Sequence, residues 1–339
     1  MNTMTSKKTP LKTFHIGSWV VSSFSPDRSQ LITGGGRNPT TLWDMESGSL
    51  IRTFNTALPS DTWAFSPDGS KIVTGSLDHT AKVWDSVTGE LKISFKDTQP
   101  VGLVDFSPDG QKIITGSLKE TVNLLNFQSG ILVHTFVHPE AVTLVGFSPD
   151  GQQLLTAAQN TIRLWNVQTG ALMHTLTHDD QIQTVAFSKD SLKLITGSLD
   201  STAKLWDTKS GMLIHSFKHD HFVTTVAFSH DGSKIITASR DHTAKLWDTR
   251  AGNLIHTFTH TLDVWTATFS SDDSLVLTGS QDCTAKLWNV ITGDSIETFT
   301  HTDPVFSEAF SSDGTKIITL TAALDCTANV WDLTEFMNR

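Results

Sequence analysis

Apolar and polar positions in residues 219–258 come in short bursts. Val223, Val226, Ala227 and Phe228 form a brief apolar run. Ser229-His230-Asp231-Gly232 then supplies turn chemistry: Ser and Asp side chains bond nearby backbone, and Gly tolerates positive φ. Lys234 to Ala238 is a second β-rich run, and Arg240-Asp241-His242 turns the chain again. Thr243 to Trp247 is a third run, whose alternate residues face opposite sides of a sheet. After a turn at Gly252, Leu254 to Phe258 is a fourth. Four short strands about eight to twelve residues apart predict an antiparallel meander. Such a unit buries neither face alone and needs a neighbour on each side.

The same pattern recurs along the chain. A Trp ends the third run at Trp43, Trp84, Trp165, Trp206, Trp247, Trp288 and Trp331, and Leu125 holds the remaining slot. The steps between slots are 41, 41, 40, 41, 41, 41 and 43 residues. The first turn also recurs in all eight copies, from Ser25-Pro26-Asp27 to Ser311-Ser312-Asp313-Gly314. The fourth-strand signature recurs from Leu11-Lys12-Thr13-Phe14 to Ile296-Glu297-Thr298-Phe299.

Spacing, turn and Trp-Asp signature together resemble the WD40-repeat family over residues 11–333. The resemblance implies an all-β, eight-bladed β-propeller with four antiparallel strands per blade. Each repeat would give three strands to one blade and the outer strand to the next. The chain opens on an orphan fourth strand, Leu11–Phe14, and ends after an orphan third strand, Asn329–Trp331. The N-terminal strand is therefore expected to close the ring in the last blade, removing a free sheet edge. Residues 1–10 and 334–339 are expected to be tails, the first disordered.

Composition narrows the function. The net charge is -10 and hydrophobic residues make up 38% of the chain. Lys and Arg are scattered singly, which argues against nucleic acid. No run approaches the roughly 18 apolar residues of a membrane span, and the polar start lacks the apolar core of a secretory signal. Cys283 and Cys326 fall at one place in successive repeats, so a disulfide is not expected. A cytoplasmic monomer is the simplest expectation. Tyrosine is absent, which excludes tyrosine phosphorylation.

Fourteen histidines invite a search for metal or catalytic sites. His178, His219, His260 and His301 each lie nine residues before the Phe ending a first strand. Thr196, Thr237, Thr278 and Thr321 stand four residues before Asp200, Asp241, Asp282 and Asp325. Trp206, Trp247, Trp288 and Trp331 follow those carboxylates by six. The resemblance implies a buried structural chain from indole to hydroxyl to imidazole to carboxylate. Donor and acceptor capacities match in that order. A hydrolase would need an exposed nucleophile and an oxyanion site, and a Thr repeated in successive copies suits neither. Equivalent ligands in successive blades would diverge, so no metal, cofactor or enzymatic activity is expected. His134, His174, His215 and His256 recur in the fourth strand and are expected to face solvent.

The first four repeats break the pattern. Repeat 1 keeps His15 and Thr33 but has Arg37 for Asp, and repeat 2 has Thr56 for His. Repeat 3 has Asp97, Lys119 and Leu125 for His, Asp and Trp, and repeat 4 offers Gln159-Asn160 for Asp. Drift in tolerant blades explains this simply; a surface modified for a partner is the sharper reading.

By the resemblance, two positions per repeat contact peptides. Five residues after the His slot stand Val20, Asp61, Gly102, Thr143, Gln183, Thr224, Trp265 and Phe306. Before the turn Asp stand Gly36, Leu77, Leu118, Leu199, Arg240, Gln281 and Leu324, with Ala158 nearest in the shortened repeat 4. A patch of Arg240, Trp265, Gln281, Phe306 and Leu324 is expected, extended by Leu77, Leu199 and Phe222. The plainer alternative is that the leucines were copied with the unit and pack locally. The leading reading is a non-catalytic scaffold binding peptides or protein surfaces on one face. The alternative is a glycan- or small-molecule-binding propeller using its central channel.

Overall fold

The computed structural model describes residues 9–15, 21–35, 38–54, 62–117, 120–321 and 326–334. Among the described residues, strands account for all the regular elements, in eight four-stranded antiparallel sheets. Seven sheets are simple meanders. The eighth joins Val305–Phe310, Lys316–Thr321 and Thr327–Asp332 to the N-terminal strand Lys12–His15. This is the blade count and strand exchange of an eight-bladed β-propeller. The expected orphan strands do pair, the first shifted by one residue to Lys12–His15 and the second extended to Thr327–Asp332. Lys12 lies opposite Val330 and His15 opposite Thr327. The expected tails fall mainly outside the described residues.

The chain divides into two compact units. Residues 1–18 with 219–339 hold blades 6 to 8, and residues 19–218 hold blades 1 to 5.

The turns form as the local sequence dictates. In blade 6, Ser229 Oγ donates to Asp231 Oδ1 (2.7 Å) and accepts the Lys234 amide (2.8 Å), while the Ser233 amide donates to Asp231 (2.8 Å). Gly232 sits at φ 70°, where a Cβ would be strained. Two strands are thereby joined by contacts within six residues of one another.

Stacking neighbours supplies the core. Ile236, Leu246 and Phe258 of blade 6 pack with Val264, Phe269 and Trp288 of blade 7. Phe217, Phe258 and Phe299 occupy one outer-strand slot and are essentially inaccessible. Each contributes about 2–3 kcal/mol by burial.

The outer-strand histidines do more than face solvent. Three of them, His134, His174 and His256, stay partly exposed but also reach the next blade. His134 Nε2 lies 3.1 Å from the Gln168 carbonyl, His174 Nε2 2.9 Å from Lys209 O, and His256 Nε2 3.1 Å from Ile291 O. A ring N–H facing a carbonyl must donate. Glycine lets the imidazole in: a Cβ on Gly211 or Gly293 would stand 2.6 Å from the ring Nδ1.

Candidate functional site

Blades 5, 6 and 7 bring all four expected side chains together. In blade 6, Trp247 Nε1 donates to Thr237 Oγ1 (2.9 Å), which lies 2.7 Å from His219 Nε2. His219 Nδ1 lies 2.7 Å from Asp241 Oδ2. The carboxylate can only accept, so Nδ1 carries the proton and Nε2 accepts from Thr237. Blade 5 repeats this with Trp206–Thr196 at 3.0 Å, Thr196–His178 at 2.7 Å and His178–Asp200 at 2.7 Å. In blade 7, Trp288–Thr278 is 2.9 Å, Thr278–His260 2.8 Å and His260–Asp282 3.0 Å. Burial alone would raise the Asp241 carboxyl. Hydrogen bonds from His219, Thr243 and the Asp220 amide hold it well below the usual carboxylate range. Burial is also what lowers His178, keeping it neutral as the chain requires. Thr196, Thr237 and Thr278 are completely buried, with their hydroxyls engaged, so no substrate reaches them.

Blade 8 corrects one expected member. Trp331 Nε1 donates to Thr319 Oγ1 (2.8 Å), not to Thr321. Backbone register decides this: Thr319 lies opposite Asn329, as Thr278 lies opposite Lys286. Two extra residues in the following turn displace any count made backward from the Asp. Thr321 accepts the Thr327 amide (3.0 Å) instead. His301 packs edge-on against Trp331 with ring centroids 5.3 Å apart. Asp325 and Leu324 lie outside the described residues, as do Val20, Gly36, Arg37, Thr56, Asp61, Leu118 and Lys119.

The irregular blades improvise. Trp43, Trp84 and Trp165 still donate to Thr33, Thr74 and Thr156 at 2.8–3.0 Å. His138 of blade 4 faces Arg163 across 3.3 Å, and burial and then that guanidinium push its pKa down to about 4. In blade 3, Asp97 holds the His slot. It accepts from Asn123 Nδ2 (3.0 Å) and Thr115 Oγ1 (3.3 Å).

The expected contact positions have a shared backbone cause. Gly102, Gln183, Thr224, Trp265 and Phe306 are each the unpaired residue of a β-bulge in the first strand. A bulge residue leaves the ladder, so its side chain is re-aimed. Trp265 and Phe306 are half-buried there, on adjacent blades of one unit. In blades 5 to 7 the turn-tip residue bonds the segment leading into the first strand: Leu199 N to Gln181 O, Arg240 N to Phe222 O and Gln281 N to Asp263 O. Arg240 lies over the Phe222 ring (5.9 Å) and 3.8 Å from Asp263. The structure thus joins Arg240 to Phe222 and Gln281 to Asp263. Leu77 and Leu199 belong to the other unit, Leu77 exposed and Leu199 half-buried.

Two residues escaped sequence reasoning. Asp263 holds the slot one repeat after Phe222, and the 41-residue period alone could have found it. Glu308 stands opposite Thr319, where blades 5 to 7 have Val185, Val226 and Ala267. Its Oε1 accepts from Thr266 Oγ1 (2.9 Å), and Oε2 is buried without a hydrogen-bond partner. Burial pushes its pKa up to about 8.

Comparison with known proteins adds the family. The model described as WD40, "WD domain, G-beta repeat", matches residues 48–85, 130–166, 170–207, 211–248, 252–289 and 293–332, more than half the chain. No curated protein matches. Among solved structures, the crystal structure of the computationally designed Ika8 protein aligns with a TM-score of 0.81 and 24% identity. That alignment covers 96% of this chain and 99% of the designed one, and bears on the fold alone.

Proposed function

The chain belongs to the WD40 family, whose propeller fold commonly mediates protein interactions, and from this we propose that it is a non-catalytic scaffold. It binds a peptide or protein surface through blades 6 to 8. The observation that carries this reading is the pair of bulge aromatics, Trp265 and Phe306, with Arg240, Phe222, Asp263 and Gln281 in the same unit. Aromatics and Arg dominate the energetics of protein interfaces. Here Arg240 is half exposed, so its ion pair with Asp263 contributes at most about 1 kcal/mol to stability. A partner carboxylate can therefore compete for the guanidinium at little cost.

The Trp265→Ala/Phe306→Ala double variant should lose partner capture in affinity purification while still folding. Each anchor is expected to account for about 2 kcal/mol or more of binding. Ile291→Ala removes a highly exposed side chain from another turn of blade 7 and should leave capture unchanged. Undiminished capture by a folded double variant would remove this surface from consideration.

A further inference from the structure

Blade 3 is built differently from the blades around it, and the difference leaves a cavity. In the other seven blades an indole fills the end of the third strand and donates to a second-strand Thr. Where the ring pairs are close, the indole packs on a Phe from the preceding blade. Phe54–Trp84 centroids are 5.7 Å apart, and Phe136–Trp165 are 5.0 Å apart. In blade 3 the corresponding Phe is Phe95 and the Thr is Thr115, but the indole slot holds Leu125. The imidazole slot holds Asp97. Two rings are thereby replaced by smaller side chains in neighbouring positions.

The resulting cavity is about 420 Å³, between blades 2 and 3 of one unit. That is within the lower range of small-ligand sites. Phe95, Val101 and Leu125 form an apolar wall, and Asp97, Thr115 and Asn123 a polar end. Phe95 and Thr115 are buried. The Asp97 carboxylate is held in place by Asn123 and Thr115, and by the Thr98 amide at 2.6 Å. Because Thr115 donates to Asp97, its lone pairs can accept an N–H, as the matching Thr does in the other blades.

We propose that this cavity binds a protonated aryl-alkylamine, its flat ring against Phe95 and Leu125 and its ammonium on Asp97. A ring N–H would donate to Thr115, reproducing the bond that an indole makes elsewhere in the protein. The carboxylate selects for the cation. Filling a preformed void costs no rearrangement of the blades.

Tryptamine and indole are suitable probes, titrated by calorimetry into the full-length protein. Wild-type protein should bind tryptamine at least about tenfold more tightly than indole, the worth of one charge-assisted hydrogen bond to Asp97 that indole cannot make. Asp97→Asn should erase that preference and still bind indole. Leu125→Trp should fill the cavity and abolish binding of both. Absence of millimolar tryptamine binding to wild type, or equal affinity for the two probes, would overturn the proposal. So would unchanged tryptamine binding in Leu125→Trp. If Leu125→Trp does not fold, Asp97→Asn, which conserves shape, decides the matter alone.

Discussion

Glu308→Gln should flatten part of the pH dependence of stability. In the unfolded chain this carboxyl titrates near its ordinary value of 4.5, whereas burial raises it to about 8 in the fold. Between those values the unfolded state has released a proton that the folded state retains. Stability from this group is therefore fully present below about pH 4.5 and is lost as pH rises through about 8. The loss is on the order of 5 kcal/mol. Glutamine keeps the shape and the bond from Thr266 but cannot ionise. Urea unfolding of both proteins from about pH 5 to about pH 9 should show curves that diverge, the variant becoming relatively more stable as pH rises. Parallel curves would show that Glu308 ionises normally. The acids of the His-linked chains act in the opposite sense. Asp241 is depressed in the fold, so its contribution is present above the ordinary carboxylate range and fades only in strong acid.

Deleting residues 1–15 should lower the melting temperature sharply. Strand Lys12–His15 covers the outer edge of Thr327–Asp332, with Leu11 N donating to Val330 O (2.7 Å) and Thr13 Oγ1 to Asn329 Oδ1 (2.6 Å). Several hydrogen bonds at about 1 kcal/mol net each imply a loss of roughly 3–5 kcal/mol. For a chain of this size that corresponds to a melting shift of roughly 4–7 °C. Ala328 and Val330, now buried, would lose their cover, and the bared edge would invite association with other chains. Calorimetry of the truncated protein is the direct measurement. A synthetic peptide of residues 9–18 should restore much of the lost stability by adding the strand in trans. Melting indistinguishable from the intact protein would mean that the strand contributes nothing to blade 8.

The repeat frame was legible because its determinants are local. Ser229, Asp231 and Gly232 shape one turn by bonds within six residues, and the same chemistry repeats wherever the motif does. The His, Thr, Asp and Trp of blades 5 to 7 were legible because their spacing is constant. Spacing failed at Thr321, where an altered turn separates counting along the chain from pairing across it. Contacts to the next blade were also hidden. His256 has a solvent-facing pattern, and nothing nearby in sequence marks the carbonyl of Ile291 as its partner. Glu308 was overlooked because a carboxylate in a short strand ordinarily faces water. Its burial depends on Thr266 and on Gly279, where a Cβ would stand 3.1 Å from its carboxyl oxygen. Trp265 and Phe306 are legible by position, but the bulge that re-aims them shows only in the strand register.

The bond between Thr13 and Asn329 spans 316 residues. At about 5–20 residues per second, a ribosome needs tens of seconds to make the intervening chain. Throughout that time the first strand has no partner, while the consecutive meanders can form as they emerge. Blade 8 is therefore the last to be completed, and its assembly is slow because its contacts are the least local. The nascent protein carries an unpaired N-terminal strand until the segment around Asn329 has been made, so this short segment sets when the molecule stops depending on its surroundings for protection against misassembly.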